Sequence, residues 1–391
     1  MENLIIAVVA GALILGASIL SVELGISVAI AEILLGVIGG NFLGLHTTPW
    51  IDFLASFASI VLTFLAGAEV DPDLLRAKFK ESLLVGGLSF LVPFALAIPF
   101  AYFVLHWTLR ASEIAGVALS TTSLAVVYAV LVETGLTETR IGKLIMASTF
   151  VTDFGTALAL ALLFITPGPS LILFIAVSAA LLVVVPRVSP WFFRRYGDRV
   201  IEPEIKLIFV VLFILMLFAE LGASHAVLPA FIFGLAMARV LAANRTQQRR
   251  LRVVAFALLT PFFFLKSGLN VSLAEVAANI PAILILLAVK QGAKWIGVFP
   301  VARKYVPEDA WYTTLLMSTG LTFGTISSLY GLNAGILDKG QFSVLVTVVI
   351  LSAVVPTVIA QRFFRPAMPL VPAETPAEPT HRSAAGESSQ K

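Results

Sequence analysis

Apolar residues along this chain neither alternate nor keep to one stripe; they come in long runs cut by short polar segments. Thirteen runs stand out, at 3–21, 24–41, 50–70, 82–106, 111–133, 140–166, 169–186, 205–222, 226–242, 252–269, 279–302, 309–331 and 340–364. Each is long enough to cross roughly 30 Å of hydrocarbon as a helix. The pattern predicts an all-α polytopic membrane protein with 13 transmembrane helices. Polar residues inside the runs are few and concentrated. The fifth holds Ser120, Thr121, Thr122 and Ser123, the sixth Asp153, the eleventh Lys290 and Lys294, and the twelfth the stretch Ser318 to Thr325. Hydroxyls and glycines let a helix unwind in mid-membrane, freeing carbonyls and half-helix ends. Runs 5 and 12 are therefore read as interrupted helices. Close packing of small residues explains Gly320 and Gly324 but not four consecutive hydroxyls.

Three segments recur. Gly36 in AEILLGVIGG and Gly234 in PAFIFGLAMA are 198 residues apart. Gly67 in FLAGAEVD and Gly268 in LKSGLNVS are 201 apart, and Leu119 of LSTTS and Met317 of MSTGL again 198. Partners seven spans apart run in opposite directions, which predicts two inverted six-helix repeats with span 7 as connector.

Composition agrees and adds orientation. The chain is 59% hydrophobic and 13% charged, about half the charge of a soluble domain. Nineteen Lys and Arg residues, from Arg76 to Arg365, lie at or after the ends of odd-numbered spans, against only Arg110 and Lys339 after even-numbered ones. By the positive-inside rule the N-terminus is outside and the C-terminus cytoplasmic, in a multi-pass cell (plasma) membrane protein. The pI near 9.2 reflects this loop charge, with no nucleic-acid motif beside it. There is no cysteine, hence no disulfide or thiolate metal site. No basic residue precedes the first span, which is read as retained rather than cleaved. The Pro-, Ala- and Ser-rich stretch 366–391 is expected to be a disordered cytoplasmic tail. No nucleophile–base pair, phosphate loop or HExxH points to an enzyme.

The candidate chemistry centres on Asp153. An acid in mid-membrane costs roughly 2.5–3.5 kcal/mol on insertion scales and is seldom kept without a task. Thr152 adjoins it and Thr149 lies a turn earlier on the same face. A carboxylate among hydroxyl and carbonyl oxygens suits a hard alkali cation. One carboxylate cannot fully serve a proton and a cation together, and that competition suffices for antiport. Lys290 or Lys294 is positioned to neutralise it, and spacing alone does not choose between them. Glu69 and Asp71 close span 3 and read as interfacial, although Glu69 has an oxygen to lend. Lys266, Glu32 and Glu220 read as structural, Thr319 and Thr322 as secondary site candidates at the span-12 break, and His225 as unassigned.

The motifs FLAGAEVD, STTSLAVVYAVLVETGL, IGKLIMASTFVTDFG, KWIGVFPVAR and MSTGLTFGTISSLYGL resemble the monovalent cation:proton antiporter-2 family of the sodium/proton exchanger superfamily. The likeness covers residues 3–365. It implies the sodium/proton antiporter fold with crossed discontinuous helices and a division of labour within a homodimer. A core domain at approximately 82–166 and 279–364 would move against a dimerisation domain at approximately 3–70 and 169–269. The resemblance further implies Asp153 as the ion- and proton-binding carboxylate, Thr122 and Ser123 at the unwound crossing, and Lys294 as the family's lysine. Electrogenic relatives carry two adjacent acids where this chain has Thr152 and Asp153, so one proton per cation is expected unless Lys294 titrates too. Na+ is favoured over K+, because potassium-efflux relatives usually append a nucleotide-binding domain. No cofactor is implied; the ions and the lipid bilayer are the partners. Two rivals are an organic-anion symporter, drawing on Lys266, Lys290 and Lys294, and a membrane sensor or scaffold.

Overall fold

Hydrocarbon offers no water to backbone polar groups, so segments this apolar must satisfy them internally, and helices do so. The computed structural model describes residues 2–70, 79–137, 139–165, 168–197, 199–222 and 224–366. Among these residues the regular structure is helical, with no strand. In order the helices are α1 (Glu2–Leu24), α2 (Val28–Phe42), α3 (Pro49–Ala68), α4 (Phe79–Pro99), α5 (Leu109–Ser120), α6 (Leu124–Glu133), α7 (Arg140–Leu163), α8 (Pro169–Tyr196) and α9 (Pro203–Leu221). Then follow α10 (Val227–Ala243), α11 (Arg245–Val254), α12 (Thr260–Leu269), α13 (Leu273–Ala278), α14 (Ile280–Tyr305), α15 (Ala310–Met317), α16 (Thr322–Asn333) and α17 (Lys339–Phe363). Single π turns, Phe100–Val104 and Ala255–Leu259, extend α4 and join α11 to α12.

Among the described residues nine helical stretches have the length and apolarity to cross a bilayer. The other expected spans miss that measure for visible reasons. Helices α2 and α10 have 15 and 17 residues. Helix α9 carries Glu204, Lys206 and Glu220, and the twelfth run is divided between α15 and α16. Two expected boundaries are corrected. The seventh was expected to end at 186, yet α8 continues through Pro186 and Pro190 to Tyr196. Each proline removes one backbone donor, yet the helix runs on past both; the Arg187 and Arg194 side chains donate to carbonyls one turn back, those of Val183 and Pro190, at 2.6 and 3.2 Å. The tenth was expected to begin at 252, but the helical stretch starts at Arg245, because α11 buries Gln247 and Leu251 beneath its arginines. Asp71, Arg76, Lys78 and the expected tail from 367 onward lie outside the described residues.

The recurring glycines mark where helices touch. A Cβ at Gly36 would stand 2.9 Å from the Cα of Gly268, where α2 crosses α12. At Gly67 it would stand 2.9 Å from the Leu235 nitrogen, and at Gly234 2.8 Å from the Ala68 nitrogen, where α3 crosses α10. Gly36 pairs in sequence with Gly234 and Gly67 with Gly268. Exchanging the two halves of the chain therefore turns one crossing into the other. On the other side of the molecule α4 packs between α7 and α14, and α17 packs on α15 and α16.

Candidate ion site at the crossing of two broken helices

Helix α7 starts after Thr139, whose hydroxyl accepts from the Gly142 amide at 3.2 Å. That cap satisfies one of the helix's first free amides and puts Asp153 about four turns along it. Helix α5 stops at Ser120; Thr121 is extended (ψ 158°), and α6 restarts at Leu124 behind Ser123. Helix α15 stops at Met317, and α16 restarts at Thr322 after a non-helical Thr319–Leu321. The two breaks meet. Thr122 Oγ1 donates to the Met317 carbonyl at 2.9 Å, and the Ser123 amide donates to Thr319 Oγ1 at 3.4 Å. Both interruptions expected from the hydroxyl-rich stretches are thus present, and they cross.

The structure separates the two lysines that spacing left equal. Lys294 Nζ donates to Ser89 Oγ and the Ser120 carbonyl at 2.8 Å each, and to Thr122 Oγ1 at 3.1 Å. It caps the C-terminal end of α5, where a cation offsets the partial negative charge of unpaired carbonyls. Lys290 Nζ has no hydrogen-bond partner among the described residues and lies against Gly320, beside the end of α15. Both lysines are wholly buried. Neither forms an ion pair with Asp153 among the described residues, although Lys294 and Glu69 are within electrostatic range of it.

Asp153 is 2% exposed, and its Oδ1 has no hydrogen-bond partner among the described residues. It lines a cavity of about 70 Å³ together with Thr122, Leu124, Thr322, Glu69 and Arg252. Leu124 and Thr322 are the first residues of the second half-helices, so the acid shares its cavity with two N-terminal ends, where negative charge is favoured. A further cavity of about 160 Å³ shares Glu69 and Arg252 and continues to Gln248 and Met146. Arg252 Nε and Glu69 Oε1 are 3.3 Å apart.

Of the expected site residues, Thr122, Thr322 and Glu69 share the cavity with Asp153. Thr149, Thr152, Ser123 and Thr319 are buried close by but do not line it. Thr149 Oγ1 donates to the Ile145 carbonyl at 2.9 Å, Thr152 Oγ1 to the Thr149 carbonyl at 2.7 Å, and Thr319 Oγ1 to the Leu316 carbonyl at 2.8 Å. Ser89 and Arg252 were missed from sequence. Nothing distinguishes Ser89 in a run of serines and apolar residues; Arg252 carried a signal, since it follows Asp52 by about one repeat.

On the opposite side of the crossing lies a larger cavity of about 450 Å³, bordered by Leu160, Glu220, His225 and Tyr330 but not by Asp153. His225 stacks edge-on against Tyr330, with ring centroids 4.0 Å apart. Burial in the turn before α10 lowers its pKa to about 4.

Comparison with known proteins gives consistent similarities. The family described as "Sodium/hydrogen exchanger, transmembrane" matches residues 6–365. The chain is 25% identical to "Probable Na(+)/H(+) antiporter 3" of Methanocaldococcus jannaschii, covering 86% of this chain and 89% of that protein. It is 26% identical to a "Na(+)/H(+) antiporter" of Enterococcus hirae, covering 88% and 93%. The solved structure of the sodium proton antiporter MjNhaP1 from Methanocaldococcus jannaschii at pH 8 superposes with a TM-score of 0.66, covering 92% of this chain and 97% of that one. At 13% identity this last similarity speaks for the fold.

Proposed function

The chain belongs to the sodium/hydrogen exchanger family, and from that premise we propose that it exchanges a monovalent cation, Na+ in preference to K+, for H+ by alternating access. One observation carries the proposal. A buried carboxylate whose Oδ1 has no hydrogen-bond partner among the described residues faces a cavity where two broken helices cross. A lone acid there attracts either a proton or a cation, and each excludes the other. Thr122, Thr322 and carbonyls freed at the breaks are the neighbouring oxygens for a hard ion. Thr149 and Thr152 donate to carbonyls of their own helix, and Thr149 Oγ1 also reaches Met317 Sδ at 3.8 Å, at the end of α15.

In this reading thirteen spans form two inverted repeats, supported by the exchangeable glycine crossings. The N-terminus is outside, the C-terminus cytoplasmic, and the membrane is the plasma membrane. Charge sorting then puts Arg252 and Gln248 on the cytoplasmic side, so the cavity holding Asp153 faces inward. Residues 82–166 and 279–364 form the moving core, and 3–70 with 169–269 form the panel through which two copies dimerise. Cytoplasmic cation displaces the proton, the core shifts, and external H+ displaces the cation. Of the three lysines of an organic-anion pocket, Lys294 is committed to Ser89, Ser120 and Thr122 and Lys266 to Asp52, which leaves Lys290, wholly buried against Gly320.

The test is purified protein in proteoliposomes with a trapped pH dye, titrated with Na+, Li+ and K+, with and without a collapsed membrane potential. Cation-driven pH change is the expected result, largest for Na+. A larger response to K+ reassigns the cation, and no response to any of the three ends the proposal.

A further inference from the structure

Two ion pairs outside the crossing join the same two helical stretches. Lys266 Nζ on α12 lies 2.8 Å from Asp52 Oδ1 in the first turn of α3. Arg252 on α11 meets Glu69 just past the end of α3. Both acids belong to the first half of the chain and both bases to the second. Arg252 follows Asp52 by 200 residues and Lys266 follows Glu69 by 197, close to the spacing of the recurring glycines. Exchanging the halves therefore converts one ion pair into the other.

The pairs sit at opposite mouths. Glu69 and Arg252 border the cavity that reaches Asp153. Asp52 and Lys266 border a separate cavity of about 520 Å³, which shares Ser56 and Asn333 with the vestibule beside His225. The balance of charge differs. At the first mouth Glu69 faces one base, Arg252, and the pair is neutral. At the second, Asp52 faces two, Lys266 and Lys339. Lys266 is 5% exposed in its side chain and Asp52 is 44% exposed, so the carboxylate is held from behind and open toward the cavity. A carboxylate offers about four lone-pair positions, and the contact with Lys266 leaves others for a passing cation. Transit needs a site that binds weakly enough to let go, and surplus positive charge at one mouth weakens binding there.

We propose that Asp52, Lys266 and Lys339 form a release site for the alkali cation at the outer mouth, the counterpart of Glu69 and Arg252 but carrying a surplus positive charge where that pair is neutral. Its effect is an apparent affinity for the cation that is lower at the outer face than at the inner. The inference rests on the exchange reading above, and it concerns sidedness rather than the existence of exchange.

Right-side-out and everted membrane vesicles measure the cation KM at each face. The outer KM is expected to exceed the inner one in the unaltered protein. Lys339→Glu, at an exposed position in the first turn of α17, is expected to lower the outer KM about three- to tenfold at low ionic strength, with the shift shrinking in high salt. The inner KM should move less than about twofold. Asp52→Asn with Lys266→Met removes the pair without leaving a buried lone charge, and should raise the outer KM. Equal KM values at the two faces, or a Lys339→Glu shift of the same size at both, overturns the proposal while leaving exchange intact. Absence of exchange in the unaltered protein instead removes the reading on which it rests.

Discussion

Asp153→Asn separates stability from transport at the proposed site. Asparagine keeps the side-chain volume and removes the charge. Asp153 Oδ1 is buried without a hydrogen-bond partner among the described residues, and an amide in the same place leaves comparable atoms unpaired. The hydrogen-bond contributions, about 1–3 kcal/mol for one buried polar group, therefore nearly cancel. What remains is the charge. Burying an ion costs several kcal/mol after relaxation, offset here by Lys294 at longer range than an ion pair. The net expectation is a variant about 1–3 kcal/mol more stable than the unaltered protein in sodium-free buffer, and inactive. Added Na+ reverses the ranking. A ligand at 100 times its Kd stabilises the state it binds by about 2.7 kcal/mol, and only the protein with the carboxylate receives that gain. Thermal melting in detergent, titrated with NaCl against choline chloride, reads both effects, and proteoliposome exchange reads the third. An Asp153→Asn protein whose melting temperature climbs with Na+ like that of the unaltered one, or which still exchanges, refutes the assignment.

Gly67→Val and Gly234→Val each drive a side chain into backbone at the α3–α10 crossing and should lower stability by about 1–3 kcal/mol or more; Gly87→Val, with open space around its Cβ position, should melt close to the unaltered protein. Lys294→Met deletes three hydrogen bonds from a charged donor, each worth about 1.5–3 kcal/mol against the relief of its desolvation. A net loss of about 1–3 kcal/mol in melting is expected, with exchange slowed rather than abolished. His225 has its pKa lowered to about 4 from 6.5, so the folded state favours its neutral form. Its contribution is complete above about pH 6.5 and is lost as pH falls toward about 4, up to roughly 3 kcal/mol. His225→Gln should flatten that part of a pH–melting curve.

The sequence made the helices and both breaks legible because lipid leaves so few alternatives: long apolar runs must be helices, and clustered hydroxyls inside them mark the interruptions. Asp153 stood out for the same reason, as the single acid in its run. What pattern did not contain was direction. Lys290 and Lys294 lie one turn apart, and only the rotation of α14 against α4 and α5 decides which one reaches Ser89 and Ser120. Thr149 and Thr152 stand near Asp153 by spacing, and each hydroxyl donates to a carbonyl of its own helix, which fixes its proton and leaves its oxygen lone pairs as acceptors; pattern does not show that neither lines the cavity of Asp153. The length of α8 was hidden by Pro186, since sequence reports the donor a proline lacks and not whether the helix continues past it, as α8 does to Tyr196. Glu69 and Arg252 meet where α3 lies against the helices of the second half, and neither segment alone signals that partnership.

The placement of charge around the crossing explains how one acid stays available. Two half-helices end there and two begin, leaving partial negative charge at Ser120 and Met317 and partial positive charge at Leu124 and Thr322. Lys294 bonds the first of these ends, and Lys290 lies beside the second. Asp153 shares its cavity with the two beginnings. Each formal charge thus meets the dipole of opposite sign, and the lysine that balances the acid overall does not occupy its oxygens. Had Lys294 closed a direct ion pair with Asp153, an incoming cation would have to break it, leaving an ammonium buried without a partner. With Lys294 held by Ser89, Ser120 and Thr122 instead, a cation or proton can arrive and leave while the lysine keeps its bonds. Lys294→Arg should therefore be a poor substitution even though it keeps the charge, because a planar fork does not match three acceptors arranged around a single ammonium. A Lys294→Arg protein melting no lower than the unaltered one would show that charge alone, and not this geometry, holds the crossing together.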